Sequence, residues 1–284
     1  MKLFTSLINT IKEHFRLKLI ICFILCAILP LLILGTISYK ISYNIAKDKI
    51  LKETAISCEK NQHLLENRMT QIENLEDSIH FNLCMLCTTA EQPMSNYLDK
   101  LSAVRNNIAS IADSFNIYHV NIFLPDDTFA SKEGLTFCSL SDLKKYKVQL
   151  SDFSKQGLTP NWIFRKDINF PYMVSKGEEP SGVLSCYRYA KINSQKTCLA
   201  VHITSEELSN YLNTFSEGNP SLSYIINSEG VVLSSTDKKQ IGGSLSNEKL
   251  HAITQNLRLS HFSYDKCEII STPVHNQLFL VTET

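Results

Sequence analysis

Apolar positions along the chain fall into three regimes. From Leu19 to Tyr39 the run LIICFILCAILPLLILGTISY holds no charged residue, which matches the roughly 20 apolar residues a helix needs to cross a hydrocarbon core of about 30 Å. No later stretch approaches that length. From Lys40 there is no strong breaker until Pro93. Ala55, Cys58, Leu65, Met69, Ile72, Ile79, Leu83 and Leu86 recur mainly at steps of three, four or seven, with Gln62 and Glu76 interrupting the seam. That spacing predicts one face of a helix. Taken as a single element over residues 40–88, it rises roughly 70 Å at 1.5 Å per residue, a stalk continuous with the apolar span. The alternative is two ordinary helices with a break between them. The seam could pack on a second copy or on the chain's own sheet, and the pattern leaves both open.

The third regime begins after Gln92-Pro93. Tyr97, Leu101, Val104, Ile108, Ile111 and Phe115 alternate in steps of four and three, predicting a second amphipathic helix. Short β-branched and aromatic runs follow at Ile117–Leu124, Phe170–Ser175, Val183–Ile192 and Thr197–Thr204. Between them lie the turns Pro125-Asp126-Asp127, Gly177-Glu178-Glu179-Pro180 and Asn193-Ser194-Gln195, so the later three strands read as an antiparallel meander. Ser139–Gln156 is polar and reads as a helix, broken by Thr159-Pro160-Asn161. Thr204 with Glu207 has the spacing of a capping box, opening a helix that carries Leu208, Tyr211, Leu212 and Phe215. A smaller cycle repeats the order: strands at Tyr224–Asn227 and Val231–Ser234, a short helix over 247–257, and strands near His261–Ser263, Cys267–Thr272 and Leu278–Thr282.

Strand, turn, strand, helix and meander is the order of a PAS-like sensor module. The expected architecture is therefore α+β: one transmembrane helix, a long stalk helix, then two stacked PAS-like antiparallel-sheet modules. The expected divisions are residues 1–18 as a cytoplasmic N-terminus, 19–39 as the transmembrane helix, and 40–114 as the stalk and second helix. Residues 115–217 form the membrane-distal module and 218–284 the membrane-proximal one.

Charge orients this plan. The 284 residues carry 28 Lys+Arg against 28 Asp+Glu, 44% hydrophobic and 20% charged. That is ordinary for a chain that buries a core, and it lacks the basic excess that displaces counterions from nucleic acid. Residues 1–18, however, hold Lys2, Lys12, Arg16 and Lys18 against Glu13 alone. Basic residues flanking a span stay in the cytoplasm, so residues 40–284 are expected outside a cell membrane, with lipid around the span. The apolar core exceeds the 7–15 residues, roughly, of a cleaved signal peptide and is followed by no small-x-small site, so an uncleaved anchor is expected.

Candidate chemistry is sparse. Of nine cysteines, Cys22 and Cys26 lie in the span. The seven outside, Cys58, Cys84, Cys87, Cys138, Cys186, Cys198 and Cys267, are odd in number and irregular in spacing, which is no disulfide framework. Cys186 and Cys198 could pair only if neighbouring strands bring them together. His80, Cys84 and Cys87 share a helix face, but three ligands without a second C-x-x-C favour a buried face over zinc. Neither cofactor nor metal is expected. G-x-S-x-G, H-E-x-x-H and Walker patterns are missing, and His202 in CLAVHIT reads as a satisfied strand residue, so the chain is not read as an enzyme. Binding is the better reading, since a pocket needs aromatic walls and a few orienting polar groups. Trp162, Arg165, Tyr172, Tyr187, Arg188 and Tyr189 are concentrated in one region and are the candidate ligand-binding residues. On a strand Tyr187 and Tyr189 share one face and Arg188 takes the other. The competing reading makes the tyrosines core and Arg188 solvated.

The combination of one membrane helix, a long emergent helix and two PAS-like modules resembles the double Cache (dCache) extracellular sensor. Asn116–Asp127, Ser131-Lys132-Glu133-Gly134, Phe137-Cys138-Ser139-Leu140, Ser185–Tyr189, Cys198–Thr204, and Tyr224–Gly230 with Ile241-Gly242 are similar to YesM-type two-component sensor histidine kinases. The resemblance implies an extracellular ligand-sensing domain of a membrane-anchored signalling receptor that binds a small ligand and works as a homodimer through its stalk and transmembrane helices. Kinases of this type continue into a second membrane helix and a catalytic part, which do not follow Leu278. Membrane-bound AraC-type regulators and chemoreceptors are alternative outputs, and a surface-anchored binding protein without output is a third reading. Trp162-Ile163-Phe164-Arg165 departs from the motif of the amino-acid-binding version of the fold, so no amino-acid ligand is expected from it.

Overall fold

In the computed structural model of the chain, residues 15–87, 94–125, 136–146, 161–166, 180–192, 195–212, 221–255, 259–275 and 278–284 are described. The first element, α1, is one unbroken helix of 73 residues, Phe15–Cys87. Pro30 lies inside it without ending it. A proline removes one hydrogen bond and crowds the preceding turn, and a membrane helix can absorb that. A window of α1 has mean hydropathy 2.9 and none of it is buried in the protein. By length and composition it can cross a membrane. Phe23 and Leu31 are exposed at 72% and 71%, which suits a lipid environment and would be costly in water.

Residues 54–284 form one compact unit. Along α1, Cys58, Leu65, Met69, Ile72, Leu75, Ile79 and Leu83 are buried in a single core that also takes Ile108 and Ala112 of α2, Met94–Ser114. The expected seam is thus present, and it is filled by the chain's own sheets.

The first sheet contains β1 (His119–Leu124), β2 (Phe137–Ser139), β3 (Asn161–Arg165), β4 (Val183–Ile192) and β5 (Gln195–Thr204), in the order β2-β1-β5-β4-β3. All pairs are antiparallel except β1 with β2, where Ile122 faces Phe137 in parallel register. Val201, Leu199 and Ile203 of β5 face α1, while Cys198, Ala200 and His202 face away, and all are buried. A sheet covered on both faces reads as a continuous apolar run rather than an alternation, which explains CLAVHIT. Thr204 then caps α3, Ser205–Asn210, accepting from the Glu207 amide at 3.1 Å as the capping-box spacing predicts.

The second sheet contains β6 (Leu222–Ile226), β7 (Val232–Ser235), β8 (Ser260–Tyr264), β9 (Cys267–Val274) and β10 (Leu278–Glu283), in the order β7-β6-β10-β9-β8. A turn at Asn227–Gly230 joins β6 to β7, with Gly230 at φ +79, a conformation glycine adopts without strain. Asn227 stabilises the turn by accepting from the Glu229 and Val231 amides. Helix α4, Asn247–Thr254, starts at Ser246, whose hydroxyl accepts from the Lys249 amide.

Several expectations need correction. Strands β2 and β3 were not foreseen: β2 has three residues, and β3 follows directly on Pro160. Of the stretch 139–156 read as a helix, Leu140–Tyr146 is helical, as a 3-10 helix, and residues 147–156 lie outside the described residues. The predicted strand at 170–175 and the acidic turns at 126–127 and 178–179 lie outside the described residues. Cys186 and Cys198 are both free thiols. Cys186 pairs in register with Val201 and Cys198 with Tyr189, so their side chains leave opposite faces of the sheet and cannot bond.

Candidate ligand wall and stalk-facing charge cluster

Register sorts the candidate residues onto two faces. Asn161, Ile163 and Arg165 of β3 stand opposite Tyr187, Ser185 and Val183 of β4, and Ser185 and Tyr187 stand opposite His202 and Ala200 of β5. On β1, His119 and Asn121 stand opposite His202 and Ala200. Arg165, Tyr187 and Tyr189 therefore share the face turned away from α1, with His119, Asn121, Ser185 and His202. Trp162 and Arg188 are on the face turned toward α1. Tyr172 lies outside the described residues.

On the outer face a chain of hydrogen bonds runs across four strands, β2, β1, β5 and β4. The Asn121 amide nitrogen donates to Cys138 Sγ at 3.5 Å, Asn121 Oδ1 is 2.8 Å from His202 Nε2, and His202 Nδ1 is 2.7 Å from the Ser185 hydroxyl. Asn121 Oδ1 can only accept, so Nε2 carries the proton and Nδ1 accepts from Ser185. His202 is fully buried. Burial first, then the charges of His119 and Arg165, hold its pKa well below the usual imidazole value, so it stays neutral. Both ring nitrogens are satisfied, and His202 is a fixed post in the sheet rather than a base. Tyr187 meets it edge-on at 6.1 Å between ring centres. Burial raises the Tyr187 hydroxyl above its ordinary value, and Arg165 pulls it back. The Tyr189 hydroxyl is likewise raised, by burial and then by Cys198. Three polar side chains, Arg165, Tyr187 and Tyr189, thus stand on a wall made rigid by the His202 chain. His202 and Asn121 were not among the sequence candidates. Their signal, single polar residues inside buried runs, becomes visible only once the strands are paired.

On the inner face the charges belong to the stalk. Glu73 Oε1 accepts from Trp162 Nε1 at 3.1 Å and lies 2.7 Å from Nε2 of His275, which follows β9. Arg188 is not solvated; it is 13% exposed, with Nε 3.4 Å from Glu76 Oε2, Nη1 on Asp77 and Nη2 3.5 Å from the Glu73 carbonyl. Cys186 donates to Glu76 Oε2 at 3.4 Å. Lower on α1, Arg68 contacts the Phe115 carbonyl and Glu207, while Gln62 accepts from Thr272 of β9 at 2.8 Å. Trp162 and Arg188 hold the sheet to the stalk.

No protein-family model matches the sequence, and no curated protein is detectably similar to it. Solved structures are. The extracellular domain ascribed to a histidine kinase, rpHK1S-Z16, aligns with TM-score 0.58 and 16% identity over 84% of this chain and 95% of that one. The periplasmic sensory domain of the Campylobacter jejuni chemoreceptor Tlp1 aligns with TM-score 0.59 and 14% identity over 82% and 95%. The ligand-binding domain of the Pseudomonas aeruginosa PAO1 amino acid chemoreceptor PctC, in complex with GABA, gives 0.53 and 12% over 84% and 100%. The chain has the fold of these sensory domains. At such identities the likeness fixes strand order and the place of the stalk, and it says nothing of individual side chains.

Proposed function

We propose that this chain is the extracellular ligand-sensing part of a membrane-anchored signalling receptor, of the double Cache kind and with a YesM-type histidine kinase as its output. The N-terminus is cytoplasmic, α1 spans the membrane over residues 19–39, and residues 40–284 lie outside. The membrane-distal module covers 115–217 and the proximal one 218–284. The observation that carries the reading is the buried polar wall on the outer face of the first sheet, in a fold shared with sensory domains and borne on a helix apolar enough to cross a membrane. Ligand contacts are assigned to Arg165, Tyr187 and Tyr189, with the sheet behind them kept rigid by His202 and Asn121.

A guanidinium and two phenols suit a small molecule with an anionic or acceptor group and an apolar body. Amino acids are the first compounds to test, because PctC was solved with GABA. The full chain in detergent is screened by thermal shift against amino acids, sugars and short peptides. A binder of the native state raises the melting temperature with concentration. The reading expects a hit that Arg165→Ala abolishes; a hit indifferent to Arg165, Tyr187 and Tyr189 sinks the site assignment. Homodimerisation belongs to the same proposal, through the membrane span and the flank of α1 opposite the buried seam, where Ile56 and Phe81 are exposed. Crosslinking of a cysteine placed at Ile56, in membranes, tests it; a monomer only would count against it.

A further inference from the structure

Glu76 is 0% exposed, deep between α1 and the first sheet. Its Oε2 takes Arg188 and Cys186, and its Oε1 has no hydrogen-bond partner. A buried carboxylate with one bare oxygen is among the costliest arrangements a core can hold. Its neighbours pull both ways: Arg188 and the Cys186 thiol favour ionisation, Glu73 and Asp77 oppose it, and burial outweighs them. From α1 itself Glu73 and Asp77 add two more acidic groups, and from β4 come Arg188 and the Cys186 thiol. Cys198 lies on β5, and His275, after β9, sits on Glu73. One guanidinium therefore serves two carboxylates, Glu76 and Asp77, and reaches Glu73 only at its backbone carbonyl. Asp77 is 62% exposed and can rely on water, and Glu73 accepts from Trp162 and His275. Glu76 has no water to rely on, and Arg188 and Cys186 serve only its Oε2.

We propose that Glu76 is a proton-operated latch between the stalk helix and the first sheet. As the neutral acid it lies in the seam and leaves Arg188 to Asp77 and the Glu73 carbonyl. On losing its proton to water it becomes a charge in a dry position beside the acidic groups of Glu73 and Asp77. The helix turn 73–77 must then lift from β3 and β4 to let water in. Burial supports this, raising Glu76 to about 8 against the opposing pull of Arg188, so the switch lies close to neutral pH. The input is a change in proton concentration, received on the inner face, and it goes beyond ligand binding on the outer one.

The chain carries its own reporter, since Trp162 is its only tryptophan and donates to Glu73 one turn away. In the full chain held in lipid nanodiscs, Trp162 emission should shift to the red along a titration with its midpoint near pH 8. Glu76→Gln should flatten that titration. Arg188→Gln should move the midpoint upward, because it removes the one charge that favours ionisation. Infrared spectra of the unmodified chain should show a protonated-carboxyl band at about pH 6 that is gone at about pH 10, as expected for a desolvated acid. The proposal is overturned if Glu76→Gln titrates like the unmodified chain. It is equally overturned if the unmodified chain lacks that band, a result that stands even if the Gln variant does not fold.

Discussion

The two sheets share one strand order, 2-1-5-4-3 in their own numbering, and both lay one face on α1. Their other faces differ. In the second sheet that face holds Tyr224, Ile226, Val232, Ile269, Phe279 and Val281, capped by Ile253 of α4. Its buried polar groups are small hydroxyls, Ser235 and Ser271, the latter 2.8 Å from Ser260, and at the margin Glu283 takes Lys249 at 2.6 Å and also the Tyr224 hydroxyl. The first sheet places Asn121, Ser185 and His202 in the middle of the equivalent face, fully buried or nearly so. A frame that can close over aliphatic side chains has here given up part of that stabilisation for buried hydrogen bonds. Such bonds add only about 0.5–1.5 kcal/mol net each, so stability alone does not account for them. The contrast separates a face that only needs to be covered from one able to discriminate what covers it.

The comparison can be broken most severely in the second sheet. Ile226→Asn, placing an amide in the aliphatic face, should cost about 3–5 kcal/mol in denaturant unfolding of the full chain in detergent, as lost burial adds to an unpaired polar group. Next comes His202→Leu, which leaves Asn121 Oδ1 and the Ser185 hydroxyl without their partner, at about 2–4 kcal/mol. The two faces of the first sheet should also respond oppositely to pH. His202 has a folded pKa below its ordinary 6.5, so the unfolded chain binds more protons below that value. Its contribution is complete above pH 6.5 and is lost as the pH falls. Glu76, raised from 4.5 to about 8, has the reverse sign: its contribution is complete below pH 4.5 and is lost as the pH rises through 8. Unfolding curves across this range should lose the acid limb in His202→Leu and the alkaline one in Glu76→Gln. The smallest effect is expected of Arg165→Ala, within about 1 kcal/mol for a half-buried wall residue, while ligand-induced stabilisation disappears.

How much of this was legible in the sequence follows from the range of each interaction. The seam from Cys58 to Ile79 and the Thr204 cap are local patterns, and both appear where periodicity and spacing placed them. The division of Tyr187 and Tyr189 from Arg188 is also local, since alternation along a strand requires it. The partners of Arg188 are not: Glu76 and Asp77 are more than a hundred positions away, and a charged residue in a strand gives no sign of what faces it. Strand β2 escaped because three residues paired in parallel carry no periodicity, and β3 because Pro160 beside it reads as a breaker. The acceptor pairing of His202 with Asn121 spans 81 positions and needed the sheet order before it could be seen.

Glu73 takes the indole of the first sheet and the imidazole beside the second on a single oxygen. Neither sheet can swivel about the stalk without pulling on the contact that fixes the other. The same row of buried side chains, from Cys58 to Leu83, keys both to one side of the shaft. A displacement of either sheet about the shaft is thereby felt at the contact that holds the other.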